Sequence, residues 1–365
     1  MRHDFPTPPA RFQGIGYTHA PDGFPLAAFD RPVPQPGPGE LLVHVVASSL
    51  NPLDYKLADL NFVGRTPPVV LGFDVAGIVV GLGRAVTRFD IGDAIFGMIA
   101  TNQDGAWAAG GAGGYALVGE YAAVSKPEAL SFAEAGVLGI CFLSAYLALA
   151  GQTGPGETIY ILGGGGGVGH LSIQKARALG VRTIISSGSG EASRALAKAS
   201  GATRVFDYRK DDVAAEIAKL TDGKGVDLVY DTTTYNEASF VAIAGMVRPG
   251  GRWVVLGVGP GKTSRRAETK SPVADILAAK GASLINVNLI RYFTEPGALD
   301  ETAKALLRRG LEDAAACATA ETVRPHVSAT IASEVDAINS ALAKMKAGGS
   351  VLGKIAVIVD KARAG

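Results

Sequence analysis

The chain has 365 residues, 47% of them hydrophobic and 19% charged, with Lys+Arg 35 against Asp+Glu 34. That length suits about two domains, and the apolar share supports a large core, which excludes a disordered chain. A net charge of +1 gives no electrostatic footprint for nucleic acid or an anionic membrane surface, so neither is expected as a partner.

In chain order, residues 1–12 carry Pro6, Pro8 and Pro9 and no apolar h-region, so they do not read as a signal peptide. A Pro/Gly-dense turn at 32–39 precedes a β-branched strand at 41–48 (LLVHVVAS). Strands at 69–70, 75–80 and 94–99 follow, separated by Gly81, Gly83 and the turn 89–93. Spaced strands with glycine turns predict a partly closed β-barrel. Residues 101–114 read as a glycine-rich loop and 120–124 as another strand. The uncharged stretch 135–151 (AGVLGICFLSAYLALAG) falls short of the about 18–20 residues a membrane span needs and lacks a basic flank. It is expected as a buried helix between domains.

Beyond it the pattern alternates. Strands at 158–162, 182–186, 205–206, 226–230, 252–256 and 283–287 are separated by helices at 168–179, 191–200, 211–220 and 237–247. That alternation predicts an α/β, doubly wound parallel sheet. Helices at 298–316 and 334–346 and a strand at 354–359 complete the chain. Only Cys141 and Cys317 are present, and the five histidines show no close metal-ligand spacing. No disulfide framework or metal site is expected, and the compartment reads as reducing and cytoplasmic.

The sharpest motif is the five-glycine run 163–167 followed by Val168 and Gly169, between a β-branched strand and a helix. Taking Gly164, Gly166 and Gly169 as the G-x-G-x-x-G set leaves Gly167 to open the helix. Glycine lets a pyrophosphate approach the backbone, and the helix N–H groups with Val168 face it. An NAD site would place a carboxylate at the end of the next strand. Here stand Ser187, Gly188 and Ser189, with Arg194 one turn on and Arg209 and Tyr208 near the following strand. Hydroxyls and positive charge suit a 2′-phosphate, which points to NADPH.

The order barrel, apolar helix, Rossmann half and terminal strand resembles the medium-chain dehydrogenase/reductase superfamily across essentially the whole chain. Asn51-Pro-Leu-Asp54 is similar to the NPxD segment of its quinone oxidoreductase and enoyl reductase branch, 71–77 to its LGxDxxG turn and 89–93 to its FxxGD turn. The resemblance implies a Rossmann sheet beside a GroES-like, partly closed barrel. The expected boundaries are 1–136 for the GroES-like substrate domain, 137–293 for the NADPH domain and 294–365 for a segment returning to the first. Zinc relatives carry Cys and His where Asn51 and Phe73 stand, and Cys141 falls one position from the third-ligand region, which implies a zinc-independent enzyme.

Without a metal, aimed donors must stabilise the oxyanion that forms as hydride reaches the acceptor. Lys56 is the first candidate and Tyr55 the alternative. The resemblance also implies cofactor contacts from Asn51, Ser144, Thr232, Gly257, Val258, Asn288, Leu289 and Lys354, the last toward the adenosine phosphate. The loop 101–114, with Trp107 and Tyr115, is expected to edge the acceptor site. The substrate is expected to be a small apolar quinone or α,β-unsaturated carbonyl or enoyl compound. The protein is expected as a homodimer paired through the edge 283–289. An NADPH-binding protein of this fold with little catalysis is the second reading.

Overall fold

A computed structural model describes residues 7–62, 64–99, 110–233, 237–257, 272–294, 297–348 and 351–364. The chain divides into two compact units, Met1–Leu143 with Ile290–Gly365, and Ser144–Leu289.

The second unit is built on one sheet. Strands β9 (Thr158–Ile161), β10 (Thr183–Ser187), β11 (Arg204–Phe206), β12 (Val226–Asp231), β13 (Val247–Leu256) and β14 (Ser283–Val287) lie in the order β11-β10-β9-β12-β13-β14. Every pairing is parallel. The period-two pleat explains why these strands read as nearly continuous apolar runs. Tyr160, Val229 and Trp253 enter one core cluster, with Phe240. Their neighbours Ile159, Ile161, Leu228, Tyr230 and Val254 enter another, with Ile173 and Ala197. Both faces are therefore covered, by helices α4 (Gly167–Ala178), α5 (Glu191–Ala199), α6 (Val213–Leu220), α7 (Glu237–Met246) and α8 (Val273–Ala279). Crossovers reverse between β9 and β12, so the amino end of α4 lies at the switch point where this architecture binds ligands.

The first unit joins strands β1 (Arg11–Tyr17), β2 (Ala27–Pro32), β3 (Glu40–Ser49), β4 (Val69–Val70), β5 (Asp74–Leu82), β6 (Ala94–Met98), β7 (Tyr115–Gly119), β8 (Ala123–Ser125), β15 (Val327–Ala332) and β16 (Lys354–Ile358). Its sheets run β2-β1-β4 and β15-β16-β3-β5-β6-β8, with β7 also on β3. This is the expected GroES-like sheet domain, distinct from the Rossmann sheet of the second unit. Helix α1 (Pro52–Leu60) follows β3, and α9 (Arg291–Thr294), α10 (Glu301–Thr319) and α11 (Val335–Lys346) belong to the returning segment. Shorter α2 (Phe132–Ala135) precedes α3 (Gly139–Leu149), whose uncharged sequence is the stretch tested above for a membrane span. Among the described residues no helix is long and apolar enough to cross a membrane.

Three local expectations change. Residues 120–124 are not one strand, because Glu120–Ala122 form a 3₁₀ turn between β7 and β8. The Glu120 carboxylate accepts from the amides of Thr87 at 2.7 Å and Arg88 at 2.6 Å, which pins the chain there. The segment after Asn51 is helical, opened by Pro52 in the first turn and by a capping box between Asn51 and Asp54. Strands β1, β2 and β15 have no counterpart in the sequence reading. β2 and β15 are largely exposed and mixed in composition, while the buried face of β1 is interrupted by Gly14 and Gly16, which leaves little apolar period-two signal.

Candidate functional site

In the second unit the glycine run makes the turn from β9 to α4. Gly163 sits at φ 68°, a backbone that favours glycine. A Cβ at Gly164 would lie 2.1 Å from Ser186 Oγ, at Gly165 2.3 Å from Ser193 Oγ, and at Gly169 2.1 Å from the Gly163 carbonyl. Those three glycines are demanded by packing. Gly166 is different: a Cβ there would meet only the Gly163 carbonyl, at 3.3 Å, and its φ of −85° suits any residue. Its missing side chain leaves space over the start of the helix. Gly166 is the N-cap without a side-chain cap, so the amides of Gly167, Val168 and Gly169 have no intrahelical acceptor. They face outward with the positive end of the dipole. Such a helix start is able to take an anion.

The residues expected around a 2′-phosphate gather at the ends of β10 and β11. Ser187 is buried, and its hydroxyl shares a 2.8 Å bond with the Tyr160 hydroxyl, whose pKa burial pushes up to about 12. Ser189 is half-buried, and Tyr208 is exposed. Arg194 has a neighbouring anion. Its Nη1 donates to the Asp207 carboxylate at 2.7 Å. Parallel pairing of Ser187 with Phe206 brings residue 207 alongside, a neighbourhood that sequence separation hides. Arg194 retains further N–H donors in its fork.

Other expected contacts are more dispersed. Thr232 Oγ1 donates to the Leu162 carbonyl at 2.8 Å, inside the same turn. Gly257 packs on Asn286, whose Oδ1 would lie 2.6 Å from an added Cβ. Asn288 is half-buried and Leu289 buried, just past β14. Ser144 is buried, and its carbonyl accepts from the Tyr230 hydroxyl at 3.1 Å. Val258, Trp107 and the basic segment 262–270 lie outside the described residues.

The first unit holds a buried polar network that no single motif announced. Asp74 Oδ2 accepts from Ser49 Oγ at 2.5 Å and Asn51 Nδ2 at 3.0 Å, and its Oδ1 accepts from the Ile140 amide at 2.7 Å. Lys354 Nζ donates to Asn51 Oδ1 at 2.7 Å and to the Leu50 carbonyl at 3.1 Å, and lies 3.6 Å from Asp74 Oδ2. Asp54 accepts from the amides of Asn51 at 2.7 Å and Gly72 at 3.3 Å. Burial dominates these donors and raises its carboxyl to about 6. Burial likewise pushes the Cys141 thiol up.

Two of the expected cofactor contacts lie in this network. Lys354 is only 4% exposed, with its ammonium directed at partners inside the first unit. The Asn51 carboxamide donates through Nδ2 to Asp74 and Ser49 and accepts at its oxygen from Lys354. Periodicity cannot reveal such a network, because residues 51 and 354 meet only when β16 pairs with β3.

The two candidate donors on α1 diverge. Tyr55 packs against the apolar cluster of Tyr17, Leu50 and Ile338, beside the Asp59–Lys346 ion pair. Burial and Asp59 raise its hydroxyl. Lys56, the next residue round the helix, is half-buried, and burial lowers its ammonium from the usual lysine range.

Residues 37–133 match the family described as alcohol dehydrogenase GroES-like domain, and 167–305 the one described as zinc-binding dehydrogenase. A chloroplastic quinone-oxidoreductase of Triphysaria versicolor is 36% identical over 208 residues, covering 54% of this chain and 60% of that protein. A 2-methylene-furan-3-one reductase of Solanum lycopersicum is 34% identical over 242 residues, covering 62% of this chain and 61% of that protein. The match thus spans about three fifths of each relative. Among solved structures, an alcohol dehydrogenase superfamily protein from Novosphingobium aromaticivorans superposes with TM-score 0.80 at 29% identity, over 96% of this chain and 99% of that one. With the strand order, the glycine turn and both family matches in agreement, the chain belongs to the medium-chain dehydrogenase/reductase superfamily.

Proposed function

We propose that the protein is a zinc-independent, NADPH-dependent reductase of quinones or α,β-unsaturated carbonyl compounds. The observation that carries the cofactor reading is Gly166, the glycine among 164, 165, 166 and 169 that packing constrains least. A missing side chain there serves an incoming phosphate. Gly167, Val168 and Gly169 would hold the pyrophosphate, and Ser189, Arg194 and Tyr208 the adenosine 2′-phosphate. When bound, NADPH supplies a hydride to an electron-poor carbon of the acceptor. Lys56 holds the proton and, as an ammonium, stabilises negative charge developing on the acceptor carbonyl oxygen. A donor aimed at such an oxyanion in a dry site contributes about 3 kcal/mol.

The donor set in the first unit does not fit a catalytic zinc. Phe73 offers no ligand atom, Asn51 is saturated by protein partners, and burial holds Cys141 toward its thiol form. Zinc sites take thiolate, imidazole or carboxylate. The acceptor class is supported by the two named relatives, one a quinone-oxidoreductase and one a furanone reductase.

The test is NADPH oxidation with a panel of simple quinones and enones, for the full chain and for Lys56→Met. We expect turnover by the parent and a loss of about 100-fold in kcat on removing the ammonium, with NADPH affinity kept. NADPH binding without turnover of any acceptor would favour a binding protein of this fold. Unchanged turnover in Lys56→Met would remove Lys56 from the mechanism.

A further inference from the structure

His170 was singled out in the sequence only as a histidine without metal-ligand spacing, and the proposed function does not use it. In the structure it is fully buried, in the second turn of α4. Its ring Nδ1 lies 2.8 Å from the carbonyl of Gly166. A carbonyl oxygen only accepts, so Nδ1 carries the hydrogen and the ring donates. The same carbonyl also accepts the His170 backbone amide, at 3.1 Å. Gly166 is therefore held by two donors from one residue.

The geometry points to His170 as a positioning residue of the pyrophosphate cradle. The inference rests on the proposed dinucleotide reading and adds a residue to it. The peptide group linking Gly166 and Gly167 is planar and trans, so a fixed carbonyl fixes the Gly167 N–H in the opposite direction, out of the helix start. Gly166 and Gly167 have no side chains to restrain that plane, and a Cβ at Gly166 would meet only the Gly163 carbonyl, at 3.3 Å. A turn with so few side chains needs its orientation set from the helix side. Nδ1 of His170 does this from inside the core. A second effect has the same sign. Two hydrogen bonds into one carbonyl polarise its peptide, which makes the Gly167 N–H a stronger donor toward an anion. Ser172 repeats the arrangement one step along, its Oγ donating to the Val168 carbonyl at 2.8 Å, which polarises the peptide that carries the Gly169 N–H.

The test compares the full chain with His170→Leu and His170→Asn, titrating each with NADPH and with 2′-AMP, which has no pyrophosphate. Leu fills the space without a donor, while the Asn amide can donate to the Gly166 carbonyl. We expect His170→Leu to weaken NADPH about fivefold to tenfold, the scale of one lost hydrogen bond, with 2′-AMP within twofold of the parent. His170→Asn should recover most of the NADPH loss. If His170→Leu does not fold, His170→Ala takes its place in the same comparison. Unchanged NADPH affinity in the apolar variant, equal weakening of both ligands, or no recovery with Asn would each overturn the role. A parent chain that binds no NADPH would instead refute the dinucleotide reading, a result separable from all three.

Discussion

Replacing Lys354 by Met removes an ammonium while keeping most of the stem volume, and the consequences follow from its three neighbours. The Leu50 carbonyl and Asn51 Oδ1 lose donors at 3.1 and 2.7 Å, and Asp74 Oδ2 loses a counter-charge at 3.6 Å. Asp74 is fully buried, so its charge would remain in the interior. Breaking a buried pair from one side costs about 3–5 kcal/mol. The lower end applies here, since Asp74 keeps the Ser49 hydroxyl and the Asn51 and Ile140 N–H donors. About 3 kcal/mol on a unit of roughly 200 residues lowers Tm by about 6–12 °C. Calorimetry and chemical denaturation of Lys354→Met would measure it. The double variant Lys354→Met with Asp74→Asn should recover at least half of the loss, because a neutral amide needs no counter-charge. The Asn51 amide can then turn its oxygen toward the new N–H group. A loss below about 1 kcal/mol, or a double variant no more stable than Lys354→Met, would refute the view that this ion pair holds the network together.

Three further outcomes are expected. Asp54 is raised from 3.8 to about 6 by burial, so between those values the folded chain binds more protons than the unfolded one and its stability falls as pH rises. Above about pH 6 the cost is complete, on the order of 3 kcal/mol. The stability of Asp54→Asn relative to the parent should therefore improve by up to that amount from pH 4 to pH 8 in denaturant titrations, and a pH-independent difference would contradict it. Gly166→Ala should keep Tm within a few degrees yet weaken NADPH strongly. Gly164→Ala, whose Cβ meets Ser186 Oγ at 2.1 Å, should lower Tm; the reverse pattern would reassign the cradle. Arg194→Ala should weaken NADPH far more than NADH in parallel Kd measurements, and equal loss of both would end the 2′-phosphate assignment. Because Arg194→Ala strands the nearly buried Asp207, its Tm should also drop, and adding Asp207→Asn should restore Tm without restoring NADPH selectivity.

The Rossmann half was legible in sequence because its strands are buried on both faces. Residues 159–161 and 228–230 are apolar throughout, and glycines mark the stops: Gly180 and Gly201 take φ of 77° and 111° just past α4 and α5. The first unit was less legible. Its strands β1 and β2 alternate irregularly with exposure, and α1 is short, with a start set by a side-chain cap and a proline more than by apolar periodicity. Site residues divided along the same line. Those fixed by a local turn, Gly164 to Gly169, could be found from spacing. Those fixed by strand pairing could not. Asp207 meets Arg194 through the β10–β11 ladder, and Lys354 meets Asn51 through the β3–β16 ladder. Residue identity at each position gives no hint of either partner.

The same ladders bear on the metal question in the proposed reading. A divalent ion needs several uncommitted lone pairs converging on one point. In the first unit the polar side chains do converge, but Lys354 already places a positive charge among them. Asn51 Oδ1, the Leu50 carbonyl and Asp74 Oδ2 all lie within 3.6 Å of its ammonium. A zinc ion there would have to expel that ammonium from a position 4% exposed, while gaining an amide, a carbonyl and the already hydrogen-bonded Asp74 carboxylate in place of thiolate and imidazole. The replacements at residues 51 and 73 are thus not isolated losses of ligands. They accompany a terminal-strand lysine that neutralises the buried Asp74 from within the chain. If that neutralisation is the role of Lys354, the fold of the first unit needs no ion to balance its interior charge. Polarising an acceptor then falls to a different residue, which in the proposed reading is the half-buried Lys56.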